Sequence, residues 1–247
     1  MLDKLNFYDL LGYLLPGATV ILVLYWISRY EFGVSLPDLQ GDFGSSVFFI
    51  GMSYVVGQLV HGVGSAWENS LNSAYYGLRL SERLLSDECY CDIQYPFPSE
   101  VKERIFVSAA EVFAIARDKP REIFEHAYAL IVQKGLDQHT EIFLALNGLA
   151  RSMLVVSWIG LIVSAALTAK QITLEVLTNA GVALPPTWVP NLPQLLMGCV
   201  LIASFLVAEG LMRRAFHRFR MYFATSVYYN FLAWYGEQNF TASLKTP

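Results

Sequence analysis

A chain of 247 residues that is 55% hydrophobic and only 15% charged lies well above the apolar share of an ordinary soluble domain. Its net charge of −4 argues against a nucleic-acid-binding protein, because phosphate contacts need an excess of Lys and Arg. The cysteines at Cys89, Cys91 and Cys199 do not have the paired spacing of zinc ligands, and the sequence contains no phosphate-binding, dinucleotide-binding or H-E-x-x-H motif. We therefore expect no metal, no cofactor and no direct nucleic-acid partner.

Four apolar stretches without Lys, Arg, Asp or Glu predict the fold. They are Leu10–Ser28, Phe43–Trp67, Ser152–Ala169 and Leu192–Ala208. Each is close to the roughly 20 residues that a helix needs to cross a bilayer, and the uncharged Pro190–Asn191 lengthens the fourth. Because backbone groups in lipid must be hydrogen-bonded internally, each stretch should be helical. The sequence therefore predicts an all-α polytopic membrane protein with four transmembrane helices.

The first span contains Pro16, which has no backbone N–H and fits best in the first turn of a helix. One interpretation is a short helix at the membrane interface over Leu5–Leu15, followed by a crossing segment over Pro16–Tyr30. The other is a single helix that is kinked at Pro16.

Between the second and third spans, the 84 residues of Glu68–Arg151 predict a helical module. The apolar face of the second span continues as far as Leu85, and new helices are expected to begin at Ser99, near Pro120 and at Asp137. The last of these should run directly into the third span. The positions expected to be buried are Ile105, Ala109, Val112, Phe113 and Ala116 in one helix and Ile123, Phe124, Ala127, Leu130 and Ile131 in the next.

The distribution of Lys and Arg predicts the orientation. Of 17 such residues, only Arg29 and Lys170 lie in the two loops that would share one side of the membrane. By the positive-inside rule, both termini and the module are cytoplasmic. The organisation expected from the spans and charges is an interfacial helix with two spans (1–67), a cytosolic module (68–151), two spans (152–212) and a cytosolic tail (213–247).

The tail combines basic and aromatic residues. Its arginines, which we expect to bind anionic lipid, are Arg213, Arg214, Arg218 and Arg220. The aromatic residues that follow predict an amphipathic helix, lying either on the inner leaflet or against the cytosolic helices.

The second span carries a stripe of small and polar residues at helical spacing. This small-residue seam consists of Ser53, Gly57, His61, Gly64 and Glu68. Small residues in this pattern let helices approach closely, within one chain or between subunits. The seam is therefore either a packing surface or the lining of an ion or water path. The second alternative is suggested by His61, because an ionisable group inside a membrane is costly and usually has a functional role.

Each predicted span has an ionisable residue at its cytoplasmic end. This inner-interface cluster consists of Asp9, His61, Arg151 and Glu209. Glu209 could pair with His61 or with Arg151, or it could pair with Arg213 one helical turn away and lie in water.

Catalysis has little support in the sequence. Glu122 and His126 share a helix face, but such a pair is more typical of a solvated surface, and no Ser or Cys lies in a nucleophile-elbow context. We expect no enzymatic activity and assign no catalytic residue.

The opening Asn6–Gly17 resembles the start of poorly characterised bacterial four-span inner-membrane proteins, some of which occur in anti-phage defence loci. The tail over Tyr222–Tyr235 is similar in its aromatic content. The resemblance implies a bacterial inner-membrane protein that works beside a cytosolic protein partner, as a membrane-perturbing effector or a membrane-side sensor.

Two functional hypotheses follow from the seam, the short loops and the module. The first is a homo-oligomeric pore-type effector or membrane sensor in a multi-component, antiviral system. The alternative is a non-conducting anchor or adaptor that recruits a soluble cytosolic partner. A small transporter is less well supported, because the sequence shows no internal repeat.

Overall fold

The computed structural model describes residues 10–32, 43–75, 80–85, 97–182 and 192–243, and every regular element in these ranges is a helix. The elements are a π-helical turn at Leu10–Leu14, α1 (Leu15–Phe32), α2 (Phe43–Tyr75), α3 (Leu80–Leu85), α4 (Ser99–Phe113), α5 (Pro120–Gln133), α6 (Gln138–Asn179) and α7 (Leu192–Ser243).

Four of these helices are long and apolar enough to cross a membrane. They are α1 with its π-helical turn, α2, α6 and α7, and they contain the four apolar stretches identified in the sequence. This confirms the prediction of a helical chain with four candidate membrane-spanning helices.

The first helix continues through Pro16 without interruption. Its irregular part is the π-helical turn Leu10–Leu14, which leads directly into α1 at Leu15. Of the two interpretations for this segment, a single helix fits the described residues better, with a π-turn before Pro16 as its irregular feature. Residues 5–9 of the predicted interfacial helix lie outside the described residues.

Two helices are much longer than a membrane crossing. Helix α6 has 42 residues and begins at Gln138, where the Glu141 N–H donates to the carbonyl of Asp137 over 2.8 Å. Helix α7 has 52 residues, so the tail is a continuation of the fourth candidate span and not a helix of its own. The sequence suggested a separate tail helix because the arginines interrupt its apolar pattern, but Arg and the residues around it propagate a helix as well as apolar residues do.

The chain divides into two compact units. Unit 1 comprises Met1–Ser65 and Gly148–Phe216, and unit 2 comprises Ala66–Asn147 and His217–Pro247. Unit 1 contains most of the apolar stretches, whereas unit 2 combines the central segment with the tail.

Unit 2 has its own hydrophobic core. The most buried side chains come from α4, α5 and the tail half of α7, including Ile105, Ile123, Ile131, Tyr228 and Phe231, all at 0% exposure. The predicted tail aromatics thus pack against the helices of the central segment, which was one of the two alternatives. Burial of this size gives the unit a stabilising apolar interior.

The ends of the helices in unit 2 decide which predicted core positions are buried. Ile105 and Ala109 are fully buried, but Val112 and Ala116 are exposed, contrary to the prediction. Helix α4 ends at Phe113 and Ala114 adopts a left-handed conformation (φ 55°), so Ala116 no longer lies on the helix face that the periodicity assumed.

Candidate functional site

The small-residue seam begins where the first helix crosses α2. A Cβ on Gly17 would overlap the Ser53 carbonyl oxygen and lie 2.6 Å from the Gly57 nitrogen. A Cβ on Gly57 would overlap the Tyr13 carbonyl oxygen and lie 2.9 Å from the Tyr13 Cα. A glycine on each helix leaves the space that lets the two backbones approach this closely. The crossing is therefore a backbone-to-backbone contact within one chain.

Further along α2, the same seam packs against α6. A Cβ on Gly64 would lie 3.0 Å from Cγ of Arg151 and 3.5 Å from a methyl group of Val155. Ser53 is fully buried, with 0% exposure, and the seam glycines Gly57 and Gly64 are buried as well. Glu68, the last seam residue, belongs to unit 2 and pairs with Arg220 at 3.3 Å.

The opposite face of α2 is exposed and apolar. The residues that define it are Val47, Phe48, Ile50, Met52, Val55, Leu59 and Val63, each more than 40% exposed. A helix with small and polar residues inside and large apolar residues outside matches lipid on its outer side. Within a single copy of the chain, other helices of the same chain therefore pack against the seam.

At the His61 position of the seam, three helical segments meet in a polar cluster. The Arg151 Nη2 donates to Nε2 of His61 over 2.6 Å, and Oγ of Ser152 lies 3.3 Å from His61 Nδ1. The Tyr13 ring packs edge-on against the imidazole, with 4.9 Å between ring centroids. Because a guanidinium only donates, Nε2 is the acceptor, and a neutral imidazole then carries its proton on Nδ1, facing Ser152.

The Ser152 hydroxyl extends this cluster to the first helix, where it donates to the Gly12 carbonyl over 3.4 Å. In a regular α-helix this carbonyl would accept from residue 16, but Pro16 has no N–H. The hydroxyl of Ser152 therefore serves a backbone acceptor that proline leaves without its usual donor. We call His61, Arg151, Ser152 and Tyr13 the His61 cluster.

Of the four residues predicted at the inner interface, the structure brings His61 and Arg151 together. Glu209 is bonded to Arg213 one turn further along α7, which was the alternative to a pairing with His61 or Arg151. Asp9 lies outside the described residues. Of the tail arginines, Arg213, Arg214 and Arg218 are exposed, and a lipid contact for the four predicted arginines stays a prediction.

Sequence reasoning missed Tyr13 and Ser152. A signal for Ser152 was present, because Pro16 necessarily leaves the carbonyl of Gly12 without an α-helical donor. Nothing in the local pattern indicated that the donor would come from residue 152, which is 140 positions away.

The polar residues of α5 form surface interactions. His126 Nδ1 lies 2.9 Å from the backbone oxygen of Glu122, while the Glu122 carboxylate pairs with Lys119 at 2.9 Å. The hydrogen bond to this carboxylate raises the pKa of Lys119. Among the described residues, no group of three or more His, Cys, Asp or Glu side chains could hold a metal ion. The arrangement of α5 is that of a solvated helix surface.

Comparison of the chain with protein-family models, with curated proteins and with solved structures found no match. The class is therefore defined by the chain's own architecture: a helical protein with four helices that are long and apolar enough to span a membrane. The His61 cluster lies at the junction of three of its helical segments.

Proposed function

We propose that this chain is a non-enzymatic protein of the bacterial inner membrane that acts as a membrane-bound sensor or adaptor. In this proposal, unit 1 lies in the bilayer and unit 2 binds a soluble protein partner. The observation that carries the proposal is that α6 and α7 each contain an apolar window and also contribute residues to unit 2.

Helix length supports the assignment of unit 1 to the bilayer and of unit 2 to partner binding. A 52-residue α-helix such as α7 rises about 78 Å, whereas the hydrocarbon core of a bilayer is about 30 Å thick. The second half of α7 therefore extends beyond the hydrocarbon. There it supplies Val227, Tyr228 and Phe231 to the core of unit 2. A folded unit built on the same helices that cross the membrane is suited to hold a partner at the membrane surface.

The charge distribution supports a cytoplasmic position for unit 2 and both termini. Arg213, Arg214, Arg218 and Arg220 follow directly after the apolar window of α7. Basic residues this close to a span favour the cytoplasmic side and anionic lipid.

Use of the seam within the chain favours the sensor or adaptor over a pore. Gly57 and Gly64 pack against helices of the same chain, and the outward face of α2 is apolar. A water path between copies of the chain would need polar groups on the outward face of α2, where another copy could also line the path.

A homo-oligomeric pore-type effector, within an antiviral system, is the second candidate. The observation in its favour is that only 6% of the apolar window of α7 is buried in the chain. Val200 and Val207, for example, are 60% and 63% exposed. Lipid or further copies of the chain would cover this helix.

One preparation distinguishes the two candidates. The full chain, gently solubilised from its source cells, is weighed as an intact complex, and co-purifying proteins are identified. A sensor or adaptor gives a monomer or dimer with a stoichiometric soluble partner, and the purified chain does not release ions from liposomes. A homo-oligomer that lacks a partner and conducts ions would overturn the proposal.

Two substitutions on exposed apolar surfaces serve as matched variants. Val200→Trp on α7 should disrupt an oligomer that packs through this helix, whereas Phe48→Trp on α2 should not. An adaptor keeps its partner in both variants.

A further inference from the structure

Unit 1 contains an apolar groove that the proposed function does not use. It has a volume of about 370 Å³ and is formed by α1, α6 and α7. The side chains that shape it are Leu22, Val23 and Trp26 of α1, Leu167 of α6, and Leu201 and Phe205 of α7. The volume lies within the range of sites that hold small ligands.

The lining of the groove offers almost only hydrocarbon. None of the lining residues is charged, and the hydroxyl-bearing ones are Thr19 and Ser164. The Thr19 hydroxyl donates to the Leu15 carbonyl of its own helix over 2.9 Å. A polar ligand would lose its hydration in this groove without gaining comparable hydrogen bonds.

Helices α6 and α7 pack closely beside the groove. A Cβ on Gly160 would lie 2.7 Å from Cδ1 of Phe205, so the glycine accommodates the Phe205 ring against α6. A Cβ on Gly198 would likewise lie 3.4 Å from Cβ of Thr168. These two contacts hold α6 and α7 directly against each other beside the groove.

We propose that this groove binds one acyl chain of a membrane lipid. All three lining helices are candidate membrane spans, so with unit 1 placed in the bilayer the medium outside the groove is hydrocarbon. Leu22, at 51% exposure, marks a side of the groove that is accessible from this medium. An empty apolar groove would forfeit dispersion contacts, whereas a slim, flexible hydrocarbon chain restores them. The inference rests on the part of the proposed function that places unit 1 in the bilayer, and it holds for an adaptor and for a pore alike.

The fluorescence of Trp26 reports directly on the groove. The full chain, with Trp67, Trp158, Trp188 and Trp234 replaced by Phe, is reconstituted with phosphatidylcholine that carries bromine on its acyl chains. The preparation is then diluted into unbrominated detergent micelles. A matched variant retains only Trp158, which is 39% exposed on α6 and reports on freely exchanging lipid.

An acyl chain held in the groove keeps Trp26 quenched after dilution, whereas Trp158 recovers its fluorescence at once. If both tryptophans recover together, or if Trp26 is never quenched because another copy of the chain fills the groove, the proposal is wrong.

A groove-filling substitution tests the location. Leu201→Phe should cause the loss of most of the retained lipid, measured by intact mass, while Phe48→Trp on the outer face of α2 should retain it. Val23→Phe serves the same purpose if Leu201→Phe does not fold, as judged by helical circular dichroism. Unchanged lipid retention in the folded groove-filling variant would contradict an acyl-chain site at this position.

Discussion

The backbone of Gly57 in α2 lies directly against the Tyr13 carbonyl in the π-helical turn, 44 residues earlier in the chain. We expect Gly57→Leu to lower the free energy of unfolding by about 1–3 kcal/mol, the usual cost of overpacking a tight contact. Unfolding of the purified chain in detergent micelles, followed by circular dichroism, measures this change.

Gly62 is the matched control for Gly57, because a Cβ there meets no atom within 4 Å. Gly62→Leu should leave stability unchanged or raise it slightly, since leucine is the better helix former. Equal destabilisation of the two variants would contradict the crossing. Size-exclusion chromatography of both variants also separates a loss of folding from a loss of assembly.

A double-mutant cycle on His61 and Arg151 measures the hydrogen bond that joins α2 to α6. We expect a coupling energy of about 0.6–2 kcal/mol, the range found for hydrogen bonds between membrane helices. The Glu209–Arg213 pair is the control, because the Arg213 side chain is 58% exposed and such surface pairs contribute little. A coupling no larger than that of the control would show that the His61 cluster does not stabilise unit 1.

Gly160 and Phe205 should also be coupled, through a steric contact and not through a hydrogen bond. We expect Gly160→Val to destabilise unit 1 by about 1–3 kcal/mol, because the new methyl groups would overlap the Phe205 ring. Phe205→Ala should relieve this effect in the double variant, so that the two changes cost less together than the sum of each alone. Strict additivity in thermal unfolding would argue against the contact. Gly210→Val, where a Cβ meets no atom within 4 Å, is the control.

The Tyr228 hydroxyl links the tail to α3 in the core of unit 2, donating to the Ser81 carbonyl over 3.0 Å. We expect Tyr228→Phe to lower stability by about 0.5–1.5 kcal/mol, the net value of one hydrogen bond. Tyr229→Phe is the control, because Tyr229 is the next residue of the same helix and its side chain is 49% exposed. Amide hydrogen exchange in unit 2 provides the measurement. Equal protection in the two variants would contradict the assigned role of Tyr228.

Sequence patterns predicted the elements of unit 2 better than its core. Ser99 does begin α4, and Pro120 begins α5, as predicted. Helix α5 ends just before Gly135, which has a φ of 66°, and the Leu136 N–H donates to the Ile131 carbonyl. These signals are local, because they depend on the conformations that a few neighbouring residues can adopt. The exposure of Val112 was not predictable in the same way, because it depends on where α4 lies against other helices.

Pairing in the polar sites was predictable only in part. The sequence identified His61 and Arg151 as ionisable residues at the same depth of their spans, and the structure joins them. It left the partner of Glu209 open between two alternatives, because spacing along one helix identifies a neighbour such as Arg213 but not the side chains that other helices bring close. Tyr13 was not among the candidates, because the sequence of an apolar helix does not indicate which residue a tyrosine ring will contact.

The sequence by itself determined that the chain has four helices able to span a membrane, since an uncharged apolar run of about 20 residues in lipid has to satisfy its backbone internally. Tertiary structure alone decided how the seam is used: Gly57 meets Tyr13, Gly64 meets Arg151, and both contacts lie within one chain. The physical reason is that hydropathy and helical period act over a few residues, whereas close packing depends on shape complementarity between segments far apart in the chain. The same small-residue stripe would suit an interface between subunits, and only the fold shows that helices of the same chain occupy it.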